Sequence, residues 1–379
     1  MKAFDKDKFT PRELFFSAAA FVQGSSLLTS FFVGGLKQNS WIGIVAAYLV
    51  SLLMLFVYLF LLKKHPGMSL VQLNEAVFGK LAGKGISFLY FFYFYSLIPL
   101  NTADVNAFIS DYMMQETPPI AITIVLLFVA ILSVRKGIDA VFRLGPFFSI
   151  MQLLVLLLFT LLLIPNMKLS NMLPIFDITL KEFIQGINTI AALPFNELIV
   201  LMMFMPLVTE QNKVKGSLIG GFSLGAAVML MIVLTDTAVL GPLLEYFTVP
   251  RFEAARLIDV YDVISRMDTL FGLVLIILRF FKIGVLLYGA SLCLAQLFEI
   301  KNYVPLVSTL GVLAAFFSLF VFKSAAESYD WGQHTAAVYS SFFNILLPLL
   351  TLVIYYLRIV VKKLKNRRNI LRTASPGEQ

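Results

Sequence analysis

Apolar residues gather along this chain into ten long runs parted by short polar connections. Each run approaches the ~20 residues an α-helix needs to cross a bilayer. They lie at about Pro11 to Phe32, Trp41 to Leu62, Gly85 to Val105, Pro119 to Val134, Val141 to Ile164, Ile178 to Val208, Ser217 to Leu240, Thr269 to Phe298, Val304 to Phe322 and Ala337 to Val360. Two runs are interrupted. In the sixth, Leu193-Pro194-Phe195-Asn196-Glu197 separates Ile187 to Ala192 from Leu198 to Pro206, and in the first Gln23-Gly24-Ser25-Ser26 does the same. Proline removes an amide donor and a carboxylate is costly in lipid, so each break predicts a helix that unwinds at membrane depth to hold something. A plain kink at Gly24 or Pro194 is the alternative at each.

Five runs precede the connection 165–177 and five follow it, so the second half starts on the opposite side from the first. That arithmetic predicts an inverted five-plus-five repeat within one membrane domain, with repeat one at about 11–164, repeat two at about 178–360 and a basic tail at 361–379. Spans one and six then correspond, and they are the two that are broken. Half-helix ends leave amides and carbonyls free for a small polar solute, and the N-terminal dipole favours a carboxylate, which points to a site at the midplane.

Composition agrees: 59% of residues are hydrophobic and 14% charged, with a mean hydropathy of +0.87. The class is an all-α polytopic membrane protein. With the N-terminus inside, inner segments and span ends carry about three times as many lysines and arginines as outer ones, which predicts that both termini are cytoplasmic. The net charge of +8 is then a topology signal, and nothing suggests a nucleic-acid partner. The tail from Arg358 to Arg372 suits anionic lipid headgroups. Cys293 is the single cysteine, and His65 and His334 fall on opposite sides, so neither a disulfide nor a histidine or thiolate metal site is expected within one chain. No cleavable signal peptide is apparent ahead of the first run. No nucleophile and base pair, phosphate loop or cofactor motif appears, so no enzyme is expected.

Five ionisable residues lie well inside the runs: Asp104, Glu197, Asp236, Arg279 and Lys282. Such residues face a bundle interior with a partner. Glu197 sits in the break itself, either for function or as a tie to a neighbouring helix. Arg279 and Lys282 share one face of span eight. For Arg279 snorkelling or an internal ion pair outweighs a functional role, and for Lys282 the weighting reverses: in sodium-coupled transporters with inverted repeats an ion site lies between spans one and eight, and a fixed ammonium can replace that cation. Asn101 and Asp104 share a face of span three, although Asp104 also suits the outer headgroups. Asp236 reads as a structural acceptor. Gly216, Gly220, Gly221 and Gly225 allow close helix approach, within the bundle or between chains. The candidate ligand set is Gln23, Gly24, Ser25, Ser26, Asn101, Asp104, Phe195, Asn196, Glu197 and Lys282.

The ten-run pattern resembles the amino acid, polyamine and organocation transporter superfamily, with its leucine-transporter type of fold. Several stretches narrow the resemblance: Thr10-Pro11-Arg12-Glu13-Leu14-Phe15, Lys63-Lys64-His65-Pro66, Glu116-Thr117-Pro118, Gly137 to Pro146, Pro194-Phe195-Asn196-Glu197, and Ile264-Ser265-Arg266-Met267-Asp268. In order and spacing they are similar to the B subunit of bacterial spore germinant receptors, the GerAB type. At the first break relatives commonly bracket a small residue with two glycines, where this chain has Gly24-Ser25-Ser26. The resemblance implies a receptor subunit of the spore inner membrane that recognises a small nutrient, often an amino acid, sugar or nucleoside, together with an A subunit and a C-subunit lipoprotein. A proton-coupled amino acid permease of the same superfamily is the other implied reading.

Overall fold

The computed structural model describes residues 8–26, 29–258 and 267–373, and the apolar runs become helices. Lys2, Lys6, Ile264 to Arg266 and the last residues of the tail lie outside the described residues. The broken first run forms α1 (Pro11–Gln23) and α2 (Thr29–Leu36), followed by α3 (Ser40–Lys64). A short surface helix, α4 (Leu70–Phe78), buries Leu70, Leu73 and Val77 and turns into α5 (Lys80–Phe108) through Gly79 at φ 87°, a conformation that glycine adopts without strain. Then come α6 (Pro119–Arg135), α7 (Ile138–Phe142), α8 (Leu144–Leu163) and α9 (Leu180–Ile190). The remainder comprises α10 (Val214–Leu240), α11 (Pro250–Arg256), α12 (Met267–Leu297), α13 (Val304–Ser318), α14 (Ala325–Asp330), α15 (Ala336–Ser341) and α16 (Leu347–Thr373).

Among the described residues, seven helical stretches are long and apolar enough to cross a membrane. Two more expected spans, α6 and α13, are apolar but shorter, and the first expected span is divided between α1 and α2.

The two broken spans begin alike. Thr10 Oγ1 accepts from the Glu13 amide at 3.2 Å while the Glu13 carboxylate accepts from the Thr10 amide at 2.6 Å, and Thr179 and Glu182 repeat this arrangement at 3.2 and 2.8 Å. Each capping box satisfies amides that the first helical turn leaves unpaired, and Thr-x-x-Glu marks both starts at the level of sequence. The chain therefore enters the two breaks through the same motif, once in each half.

Around the breaks, α1 packs on α10 and α8, and α12 on α5 and α6. The glycines at the start of α10 serve the first of these contacts: Gly220 and Gly221 lie against Phe15 and Ala18, and a Cβ on Gly225 would come within 2.7 Å of Val22. A Cβ on Gly216 would meet none of the described residues of other elements within 4 Å. Loops gather at the two ends of the bundle. Lys84 bonds Glu299 at 2.9 Å and Arg358 donates to the Ala76 carbonyl at one end, while Gln38 reaches the Pro174 carbonyl and Lys168 bonds Ala238 at the other.

Candidate functional site

Gly24 closes α1. Its amide donates to the Ala20 carbonyl at 2.8 Å and that of Ser25 to Val22 at 3.0 Å, which tightens the last turn. A Cβ at residue 24 would fall 2.8 Å from the Leu278 carbonyl and 3.2 Å from Lys282 Cβ, so the missing side chain lets α12 pass directly behind the break. Lys282 is thereby delivered to the break. Its ammonium donates to Ser25 Oγ at 2.6 Å, ion-pairs with Glu197, and lies 5.2 Å from the centre of the Phe21 ring.

The second break keeps its helical winding but changes its type, which differs from the unwinding that the sequence predicts. After α9 the chain makes a π turn over Ala191–Phe195 and then a 3-10 stretch over Asn196–Met203. Pro194 has no amide to give and crowds the carbonyl of the preceding turn, and the wider π turn accommodates both effects without leaving the helical region. The Ala192 carbonyl released there accepts from Asn344 Nδ2 at 2.7 Å. Asn344 also donates to the Tyr93 hydroxyl at 3.1 Å and accepts at its backbone from Tyr58, so three further elements brace the break.

One turn along α12, Arg279 ion-pairs with Asp104 at 3.3 Å and donates to the Asn101 side chain. Two acids thus stand against two bases. Lys282 and Arg279 are fully buried and Glu197 is 2% exposed, whereas the Asp104 side chain is 18% exposed. A lone charge at this depth would cost several kcal/mol, and mutual pairing is what makes four of them tolerable. Asp104 also lines a small cavity of about 60 Å³ with Ser30, Phe31, Tyr112, Thr248 and Ser328.

Of the expected ligand set, Ser25, Glu197 and Lys282 meet directly, Gly24 makes their meeting sterically feasible, and Asn101 and Asp104 join them through Arg279. Phe195 is buried and packs edge-on against Phe222 at 5.2 Å. The Gln23 amide, Ser26 Oγ and Asn196 Nδ2 are buried at the breaks and have no hydrogen-bond partner among the described residues, which leaves them able to bond a polar solute. Among the described residues no cluster of three or more His, Cys, Asp or Glu is arranged to hold a metal.

Two important side chains escape a reading of the sequence. Asn344 is a single amide within an apolar run. Arg251, from the polar stretch Pro250 to Glu253, is 1% exposed and pairs with Asp236 at 3.0 Å beside the rings of Phe159 and Phe271. The buried Asp236, expected as a structural acceptor, was the available signal that a cation had to come from somewhere.

Solved structures with this architecture include a Na+-coupled sialic acid symporter, at a TM-score of 0.64 and 10% identity over 90% of this chain and 80% of that one. The nucleobase-cation-symport-1 family transporter Mhp1 follows at 0.60 and 12% over 86% and 75%. These likenesses carry the fold alone: the chain is a multi-pass helical membrane protein with the helical architecture of those structures. In sequence, Spore germination protein KB of Bacillus subtilis (strain 168) is 24% identical over 356 residues, covering 92% of this chain and 95% of that protein, and Spore germination protein YndE of the same organism is 22% identical over 84% and 87%. A family model described as "Spore germination protein" matches residues 8–326. The family match over most of the chain, with relatives aligned along most of their own length, leads to one conclusion: the protein belongs to the family of spore germination proteins.

Proposed function

We propose that the protein is the nutrient-recognising B subunit of a spore germinant receptor, acting in the spore inner membrane with both termini cytoplasmic and with an A subunit and a C-subunit lipoprotein. The ligand, an amino acid or a solute of similar size, lies between the two breaks, where its polar groups take up Gln23, Ser26 and Asn196. The observation that supports this reading is the convergence on Lys282: one ammonium binds Ser25 of the first break and Glu197 of the second. A solute inserted between them alters the balance of that contact, and so reaches both halves of the bundle.

The Lys282 ammonium, paired with Glu197, stands between spans one and eight and takes the place of a bound sodium there. Signalling requires only that the ligand favour one conformation, with a differential affinity of about 5.5 kcal/mol for a near-complete switch. The alternative, a proton-coupled amino acid permease, shares the site and differs in moving its solute. Spores lacking the gene and re-supplied with it on a plasmid are the test. Loss and recovery of germination to one nutrient, without uptake of that nutrient by vesicles containing the protein, supports the receptor. Vesicle uptake driven by a proton gradient supports the permease.

A further inference from the structure

Away from the breaks, a cleft of about 430 Å³ lies where the end of α3 meets the start of α10, at the end of the bundle that carries Gly79 and Glu299. Its size falls within the range of small-ligand sites. Its walls divide by depth. Leu59, Leu62, Met205 and Val214 line it with hydrocarbon, and Lys63, Lys215 and Asn212 supply polar groups. Gln211 also lines it, with the amide nitrogen donating to the Met205 and Val208 carbonyls at 2.8 and 3.0 Å.

The charge pattern is selective. Lys213 is neutralised by Glu210 at 2.7 Å, whereas among the described residues Lys63 and Lys215 have no carboxylate partner. Lys215 instead holds its ammonium 5.8 Å from the centre of the Phe56 ring. Phe56 is itself exposed and continues into the exposed Leu53 and Leu49 on α3, an apolar strip on the outside of the bundle. Because α3 is apolar enough to cross a membrane and ends at Lys64, the cleft lies at the polar end of a candidate span, with two cations that lack a carboxylate partner among the described residues beside a hydrocarbon wall.

From this we propose that the cleft between α3 and α10 binds an anionic phospholipid, its phosphate held between Lys63 and Lys215 and one acyl chain laid along Leu49, Leu53 and Phe56. A phosphodiester supplies the negative charge both lysines lack, and the chain covers apolar surface that a free anion would leave bare. The site is separate from the breaks and does not depend on the receptor reading.

The test uses the full-length protein in zwitterionic detergent micelles and measures retention of phosphatidylglycerol, phosphatidylcholine and inorganic phosphate by native mass spectrometry and titration. The variants are Lys63→Gln/Lys215→Gln and, for general attraction of lipid to exposed lysines, Lys362→Gln/Lys363→Gln. Phosphatidylglycerol is expected to bind in preference to phosphatidylcholine, and its affinity to fall roughly thirtyfold in the first double variant, at about fivefold for each lysine removed, and little in the second. Equal losses in the two variants, or no loss in the first, would overturn the proposal. Inorganic phosphate binding as tightly as the lipid, with the same lysine dependence, would overturn it in favour of a free-anion site.

Discussion

Lys282 on α12 donates to Ser25 Oγ at 2.6 Å across the first break, while its ammonium also pairs with Glu197 in the second. Glycine at position 24 makes the approach feasible, because any Cβ there would press on the α12 backbone. A charge held by both halves of a repeat is a joint between them, and its removal separates two effects. Lys282→Met leaves Glu197 buried without its cation, at a cost of about 3 to 5 kcal/mol. Spores carrying it are expected to lose their nutrient response in sodium-free buffer, with subunit level followed by immunoblot, whereas Lys282→Arg retains part of that response. A Met variant that responds normally without sodium would remove Lys282 from the mechanism.

The second buried pair, Arg251 with Asp236, concerns stability. It ties α11 to α10 with both side chains out of water. Arg251→Met or Asp236→Asn alone is expected to destabilise the purified protein by about 3 to 5 kcal/mol, and Arg251→Met/Asp236→Leu to recover most of that loss, because no uncompensated charge remains. Thermal unfolding in detergent reads both. A double variant as unstable as the worse single one would contradict the pairing.

Much of this arrangement is legible before any coordinates. The interruptions at Gly24 and Pro194 and the ionisable residues at depth break local rules for a lipid-spanning helix, so each is visible in the chain itself. Other features are not. The succession of π and 3-10 turns after Ile190 depends on Asn344 arriving from a distant span to take the Ala192 carbonyl. Arg251 sits in Pro250-Arg251-Phe252-Glu253, a stretch whose polarity suits a loop, and only packing against Phe159 and Phe271 buries it.

A third prediction follows from the surface tie at the opposite end of the bundle. The hydrogen bond from Lys84 and the nearby charges of Lys84 and Lys80 hold the Glu299 carboxyl below the usual carboxylate range. A depressed folded-state value contributes stability that is present above the unfolded carboxylate pKa of about 4.3 and lost as pH falls through the lower folded value. Glu299→Gln is therefore expected to lower the unfolding temperature slightly at pH 7, with the difference fading as the pH drops below about 4 and as salt is added. A difference that grows on acidification would contradict the sign.

Orientation has its own test. In a Cys293→Ser background, a membrane-impermeant thiol reagent applied to intact cells is expected to label Asp177→Cys and His334→Cys but not Lys64→Cys or Lys362→Cys. Labelling of the last two before lysis would place the termini outside.

The central claim, that a nutrient binds between the breaks, is tested most directly by the germination dose response of spores carrying Ser25→Ala or Phe195→Leu at normal subunit level. Ser25→Ala removes the charge-assisted hydrogen bond from Lys282, the contact whose balance the inserted solute alters, so the half-maximal nutrient concentration is expected to move. Phe195→Leu is expected to change that concentration or which nutrient is effective. Unchanged dose response and nutrient choice in both variants, with normal protein level, would contradict the account and place the ligand elsewhere.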